Sequence, residues 1–300
     1  MKRLSLLLAL ILASLSLVSC EYGLWEFLYH GETVQTRAEN LTELNDAGTS
    51  ALVSHLNSKA SSGTYKFLVI TDIHFGKPNK DRRDEDLYEW LDSNGSGIDF
   101  CVNLGDTADH GLPSELDNMA PLESAIKTRC PNFPAATKIY NILGNHDLYN
   151  SGWTGWKEKM YPNTSFYHFK TNGMSYYFLD SGSATLGKPQ YNRLKKAFAS
   201  DPLPKIVMTH YPVYADSSTV LGYFTMQNSE ESSALISLFA QYNVILVLDG
   251  HTHKYFKADL GKFVEFNTPS LVDNVKWSVV TVNEAAKTAS AELVAGKRAR

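Results

Sequence analysis

From Tyr65 onward the chain alternates between short apolar runs and longer amphipathic stretches. Runs at 65–70, 98–104, 138–143, 205–209 and 244–248 have strand length and are rich in β-branched and aromatic residues. Between them, the spacing of apolar positions predicts helices over 85–91, 114–128, 190–199 and 230–242. The middle of the chain breaks this rhythm. Strand-like runs at 165–170 and 174–179 flank Thr171-Asn172-Gly173, and Asn-Gly between two such runs marks a tight hairpin. Three more strands, at 263–267, 277–282 and 289–294, follow with no helix between them. Alternating β and α elements with added hairpins predict an α/β sandwich of mixed sheets, a single domain over 63–300. Ahead of it, residues 20–62 read as a tether and helical segment. Leu24, Phe27 and Leu28 sit at helical spacing, 41–56 repeats the pattern, and Ser61-Ser62-Gly63 breaks it.

The first nineteen residues stand outside this pattern. Lys2 and Arg3 give a positive start, an apolar run follows from Leu4 to Val18, and Leu17-Val18-Ser19-Cys20 closes it. Such a run is short for a membrane span, which needs about 20 residues, and suits a signal-peptide core. Small residues before a cysteine resemble a bacterial lipobox, which implies cleavage before Cys20 and acylation of that cysteine. The mature chain would then be lipid-anchored at the bacterial cell envelope, outside the cytoplasmic membrane. A plain secretory signal or an uncleaved anchor is the alternative.

Composition narrows the partners. Of 300 residues, 43% are hydrophobic and 20% charged, which is enough apolar surface for a sizeable core and excludes a disordered chain. Taking Lys2 and Arg3 from the 28 basic residues leaves 26 against 32 acidic ones, a net of −6. That sign excludes nucleic-acid binding by bulk charge, so a phosphate-bearing substrate needs a local positive centre. No protein partner is predicted. Cys101 lies in an apolar run and Cys130 beside Pro131. They read as two free thiols, with a disulfide as the alternative in an oxidising compartment.

The candidate chemistry gathers where the five long apolar runs end. The first runs into Thr71-Asp72-Ile73-His74, and the second into Gly105-Asp106-Thr107-Ala108-Asp109. The third ends in Gly144-Asn145-His146-Asp147, the fourth in His210, and the fifth in Asp249-Gly250-His251-Thr252-His253. In open α/β sheets, ligands collect at the carboxyl ends of strands. Glycines at 105, 144 and 250 permit the turn or the close approach that a side chain would block. Carboxylate, imidazole and amide donors without thiolate suit Mn, Fe, Zn or Mg. Seven donors, Asp72, His74, Asp106, Asn145, His210, His251 and His253, exceed one ion and fit two divalent ions with one bridging carboxylate. Such a pair holds phosphate oxygens and acidifies a water between them.

These five blocks, in this order over 65–253, resemble the calcineurin-like metallophosphoesterases. The resemblance implies a four-layer α/β/β/α sandwich of two mixed sheets with a dinuclear centre between them. It implies Asp72, His74, Asp106 and His253 on one metal, and Asp106 as bridge with Asn145, His210 and His251 on the other. His146 would bind phosphate and protonate the leaving oxygen, a catalytic role outside the metal shells. Asp109 stands where one branch of the family has an aspartate that orients this histidine, so an Asp109–His146 pair is expected. Two departures matter. His110 follows where phosphoprotein phosphatases have arginine, and Asp109 stands where purple acid phosphatases have tyrosine. Both argue against those two branches. The expected activity is metal-dependent hydrolysis of phosphomonoesters or phosphodiesters by attack of a bridging hydroxide. The alternative is a catalytically silent surface lipoprotein that uses the fold as a binding module. Trp153, Trp156 and Tyr161, after the third block, are expected to pack against the core.

Overall fold

The computed structural model describes residues 33–61, 63–77, 84–214, 225–226 and 228–299. The signal segment and Cys20 lie outside the described residues. Two mixed sheets face each other. The five-stranded sheet holds β2 (Tyr65–Ile70), β3 (Phe100–Asn103), β4 (Tyr140–Asn141), β11 (Lys276–Asn283) and β12 (Thr288–Ala295), in the order β12-β11-β2-β3-β4. The seven-stranded sheet holds β1 (Thr42–Glu43), β5 (Tyr167–Lys170), β6 (Ser175–Phe178), β7 (Lys205–Met208), β8 (Val244–Asp249), β9 (Phe256–Asp259) and β10 (Val264–Asn267). Its order is β1-β5-β6-β7-β8-β10-β9. The strands that carry the polar blocks run parallel within each sheet: β2, β3 and β4 in one, β7 and β8 in the other. All five therefore deliver their C-terminal ends to the same edge of the fold.

An aromatic layer joins the sheets. Phe67 and Phe100 stack at 4.6 Å, and Phe100 meets Tyr176 and Phe169 edge-on at 5.9 and 6.3 Å. Both faces of each central strand are covered, so β2, β3 and β7 are buried almost throughout. Leu87 and Leu91 of α2 (Asp84–Asn94) and Leu122 and Ile126 of α3 (Met119–Arg129) share the core of the five-stranded sheet, after α1 (Ala47–Ala60). Beyond α4 (Gly152–Lys159), Leu194 and Phe198 of α5 (Gly187–Ser200) pack on the seven-stranded sheet with Leu235 and Phe239 of α6 (Ser229–Gln241). This is the four-layer α/β/β/α arrangement.

Several boundaries differ from the sequence expectation. The helix expected over 114–128 is two pieces, Pro113–Leu116 and α3. Pro121 lacks an N–H, so it fits only the first turn of a helix that restarts at Met119. Asn118 adds side-chain bonds to the carbonyls of Ser114 and Glu115. The segment 33–61, grouped with a tether, is part of the domain body. Thr42 and Glu43 pair with β5, Asp46 caps α1 through the N–H groups of Gly48 and Thr49, and Leu52 and Leu56 are fully buried. That burial contributes about 1.5–3 kcal/mol per leucine, enough to hold the helix down. Strand β9 lies where no strand was expected. Trp153 and Trp156 are buried and stacked at 5.5 Å, and Tyr161 bonds Asp46, so all three do pack. Cys101 and Cys130 are free and buried.

Candidate metal centre

Asp72 and His74 follow β2, Asp106 follows β3, and Asn145 and His146 follow β4. His210 follows β7, and His251 and His253 follow β8. Three blocks come from one sheet and two from the other. Leaving the strands, Asp72, His74, Asp106, His251 and His253 all take left-handed backbone, with φ of 50, 46, 51, 65 and 54°. Each such non-glycine residue costs about 1–3 kcal/mol, and their concentration at the expected ligands marks a site where packing enforces geometry. Gly144 and Gly250 explain how the loops come so close. A Cβ on Gly144 would sit 2.2 Å from Asp106 Oδ1, and one on Gly250 2.2 Å from Thr71 Oγ1.

The expected ligands converge in two groups, and His74 also joins Asp109 and His146 in a third cluster. Donor atoms of Asp72, His74 and His253 lie within 4.8 Å of one another, as do those of Asp106, His210 and His251. His253 Nε2 is 3.2 Å from Asp72 Oδ1 and 3.2 Å from His74 Nε2. Asp106 Oδ2 lies between the groups, 3.3 Å from His210 Nε2 and 3.8 Å from His74 Nε2. Asn145 Oδ1 joins the second group at 3.2 Å from His210 Nε2. Donors around one cation at about 2.0–2.2 Å stand about 3 Å apart, which is the spacing found here. Asp72 Oδ1 is buried, and beside it lies His253 Nε2 at 3.2 Å, itself an expected ligand, as befits two atoms that would face one cation. The pocket also draws positive charge. Burial opposes it, yet Asp106 lifts the His210 imidazole to about 9, and Asp72 and Asp273 lift His253 to about 10. Burial and His210 push His251 down to about 3. Against burial, His253 and His210 hold Asp72 down at about 2. These residues fit two divalent cations, with Asp106 placed to serve both.

The expected Asp109–His146 pairing takes a different form. His146 Nδ1 is 2.7 Å from the backbone carbonyl of Asp109, while the Asp109 carboxylate is 3.9 Å away. That carboxylate lies 3.0 Å from His74 Nδ1. His146 keeps its ring at the margin of both groups, edge-on to His74 at 4.6 Å and against Tyr149 at 4.6 Å.

Other residues support the centre without appearing in the five blocks as ligands. Thr71 Oγ1 donates to Asp72 Oδ2. Asp147 accepts from the N–H groups of Ala108 and Gly144, and burial beside Asp106 pushes its carboxyl up to about 7. Ser181 Oγ accepts from the N–H groups of His210 and Tyr211, and the Tyr211 ring stacks on His251 at 3.8 Å. Ser181 follows β6, so a sixth strand end with polar residues, Asp180-Ser181, was the available signal. Asp273 bonds His253 Nδ1 at 2.8 Å. Its only sequence mark is the helix-capping pattern Ser270-x-x-Asp273.

The pattern of calcineurin-like phosphoesterases matches residues 65–255, from the first residue of β2 to just past His253. A Fibrobacter succinogenes protein described as a probable cyclic nucleotide phosphodiesterase is 24% identical over 209 residues, covering 67% of this chain and 77% of its own. A solved dimetal phosphatase from Danio rerio superposes with a TM-score of 0.57 at 13% identity, over 73% of this chain and 93% of the other. Purple acid phosphatase PPD1 from yellow lupin gives 0.59 at 12% identity, over 79% of this chain and 52% of the other. At these identities the solved structures establish the fold alone.

Proposed function

The chain belongs to the calcineurin-like phosphoesterase family, and on that premise we propose that it is a two-metal phosphodiesterase of the bacterial cell envelope. The observation that carries the reading is the place of Asp106, whose Oδ2 lies between two donor groups at 3.3 Å from His210 and 3.8 Å from His74. Asp72, His74, His253 and Asp106 would hold one cation, and Asp106, Asn145, His210 and His251 the other. When bound, the two ions supply positive charge for the phosphate oxygens and acidify water for attack.

The chain's own groups do the rest. His146 Nδ1–H donates to the Asp109 carbonyl, which fixes the ring and leaves Nε2 as the atom that carries the mobile proton. A water that has already lost one proton to solvent bonds through its oxygen to phosphorus, the P–O bond to the leaving group breaks, and His146 Nε2 delivers its proton to the departing oxygen and takes one back from solvent. Leu112, Tyr214 and Tyr255 are the exposed large hydrophobic side chains among the described residues. Each follows a site block within four residues, at Asp109, His210 and His253. Apolar side chains following three of the site blocks would suit an ester with an organic group on each side of phosphorus, and the description of the Fibrobacter succinogenes relative points the same way.

The test is hydrolysis of bis-p-nitrophenyl phosphate against p-nitrophenyl phosphate by residues 21–300 with Mn²⁺. Faster cleavage of the diester supports the reading, and a monoester preference makes the protein a phosphatase. Silence on both favours the binding-module alternative. For the envelope location, Leu17-Val18-Ser19-Cys20 is the support. Incorporation of labelled fatty acid that Cys20→Ala abolishes would bear it out, and unlabelled protein would refute it.

A further inference from the structure

Asp273 lies eighteen residues beyond the stretch that matches the family, on the short helix Leu271–Asn274. We propose that Asp273, braced by Lys77, is a positioning residue that holds His253 for its cation; the inference rests on the two-metal reading above. His253 turns Nε2 towards Asp72 Oδ1 and His74 Nε2, each at 3.2 Å, and turns Nδ1 towards Asp273 Oδ2 at 2.8 Å. An imidazole nitrogen ligates only with a lone pair, so Nδ1 must carry the hydrogen and donate it to Asp273. A carboxylate in that place fixes the tautomer, aims the ring and raises the basicity of Nε2.

The carboxylate is itself held. Lys77 Nζ reaches Asp273 Oδ1 at 2.7 Å and Oδ2 at 2.8 Å. Lys77 follows the Asp72-Ile73-His74 turn, with its N–H on the His74 carbonyl at 3.1 Å. The helix carrying Asp273 is tied to the same turn. Ser270 Oγ donates to the Asp72 carbonyl at 2.9 Å and accepts from the Asp273 N–H at 3.1 Å, and the Leu271 N–H bonds the Thr71 carbonyl at 3.0 Å. One helical turn thus fixes both Asp72 and His253, and Lys77 closes the ring back to His74. Nothing equivalent stands behind His210, whose Nδ1 is 2.8 Å from the neutral Leu104 carbonyl. The effect of Asp273 therefore falls on one of the two cations.

The experiment is calorimetric titration of Mn²⁺ into chelator-stripped residues 21–300, for the wild type, Asp273→Ala, Asp273→Asn and Lys77→Met. Two binding events are expected in the wild type. Asp273→Ala should weaken one of them by about 10- to 100-fold and spare the other. Asp273→Asn keeps an acceptor for Nδ1–H and loses the charge, so it should fall between, with Lys77→Met weaker still in effect. Melting temperatures in EDTA should stay together, while the Mn²⁺-induced rise shrinks in the Asp273 variants; a merely structural residue would lower both. Unchanged affinity in Asp273→Ala and Asp273→Asn overturns the inference and leaves the two-metal reading standing. A wild type that takes up no Mn²⁺ overturns both.

Discussion

The Asp109 carboxylate sits 3.0 Å behind His74 Nδ1, while its backbone carbonyl takes His146 Nδ1 at 2.7 Å. One residue thus serves both halves of the site, its side chain turned to a metal-facing histidine and its main chain to the proton donor. The His74 imidazole beside it keeps the Asp109 carboxyl below the usual carboxylate range. Asp109→Asn should therefore act chiefly through metal retention. We expect Mn²⁺ affinity to drop by about tenfold or more, with the pH profile of turnover at saturating Mn²⁺ little changed, because the carbonyl that orients His146 remains. A shifted pH profile with unaltered affinity would return the carboxylate to His146.

His146 clusters with His74 and Asp109 but is not among the expected ligands, so its removal should separate chemistry from metal binding. His146→Ala should keep two Mn²⁺ per chain by elemental analysis and lower turnover of an alkyl phosphodiester by about 100- to 10,000-fold. The loss should be much smaller with p-nitrophenyl esters, whose acidic leaving group departs without a proton. Equal losses on both substrates would show that His146 does not act as the acid.

Gly144 is the close-approach point of the centre. A methyl group there would lie 2.2 Å from both the N and the Oδ1 of Asp106, and neither can retreat, since Asp106 Oδ1 also accepts from the His146 N–H at 2.8 Å. Gly144→Ala should cost about 1–3 kcal/mol by overpacking and should displace the carboxylate that lies between the two donor groups. Chemical denaturation with Mn²⁺ titration checks both effects; a variant with wild-type stability and two intact binding events would mean that the loop relaxes freely.

The candidate site was legible where chemistry sits directly after an apolar run. Asp72, His74, Asp106, Asn145, His210, His251 and His253 follow strands whose parallel order carries them to one edge, and sequence shows both the run and the residue. Asp273 was not legible because its contact with His253 comes from a one-turn helix brought against β2, while Ser181 had a signal, a polar residue at the end of β6, that the five longer runs overshadowed. For Asp109 the reading stops at a coarser level. Sequence names the residue, but not whether its carboxylate or its carbonyl faces His146. In the fold, the Asn-Gly hairpin and the long strands were legible from periodicity, while β1 has only two residues and exists through pairing with β5. Pro121 was in plain view and should have split the helix over 114–128.

A buried acid pair behind the metal loops should make the stability depend on pH. Glu265 and Asp249 are both fully buried and close enough to perturb one another, Glu265 takes the N–H groups of Val213 and Tyr214, and Asp249 Oδ2 has no hydrogen-bond partner. Burial pushes the Glu265 carboxyl from its ordinary 4.5 up to about 7, and burial with Glu265 nearby raises Asp249 well above its own range. A carboxyl whose folded value is raised binds its proton more tightly folded than unfolded. Its contribution is then complete below the ordinary value and is lost as pH climbs towards 7. In EDTA, which removes the effect of bound cations, the melting temperature of the wild type should fall between pH 5 and pH 8, with this pair contributing alongside Asp147 and His210, which are raised too. Glu265→Gln cannot ionise, and its amide oxygen can still accept from Val213 and Tyr214, so its melting temperature should fall less over the same interval. Parallel curves for the two proteins would mean that the pair carries no proton to lose.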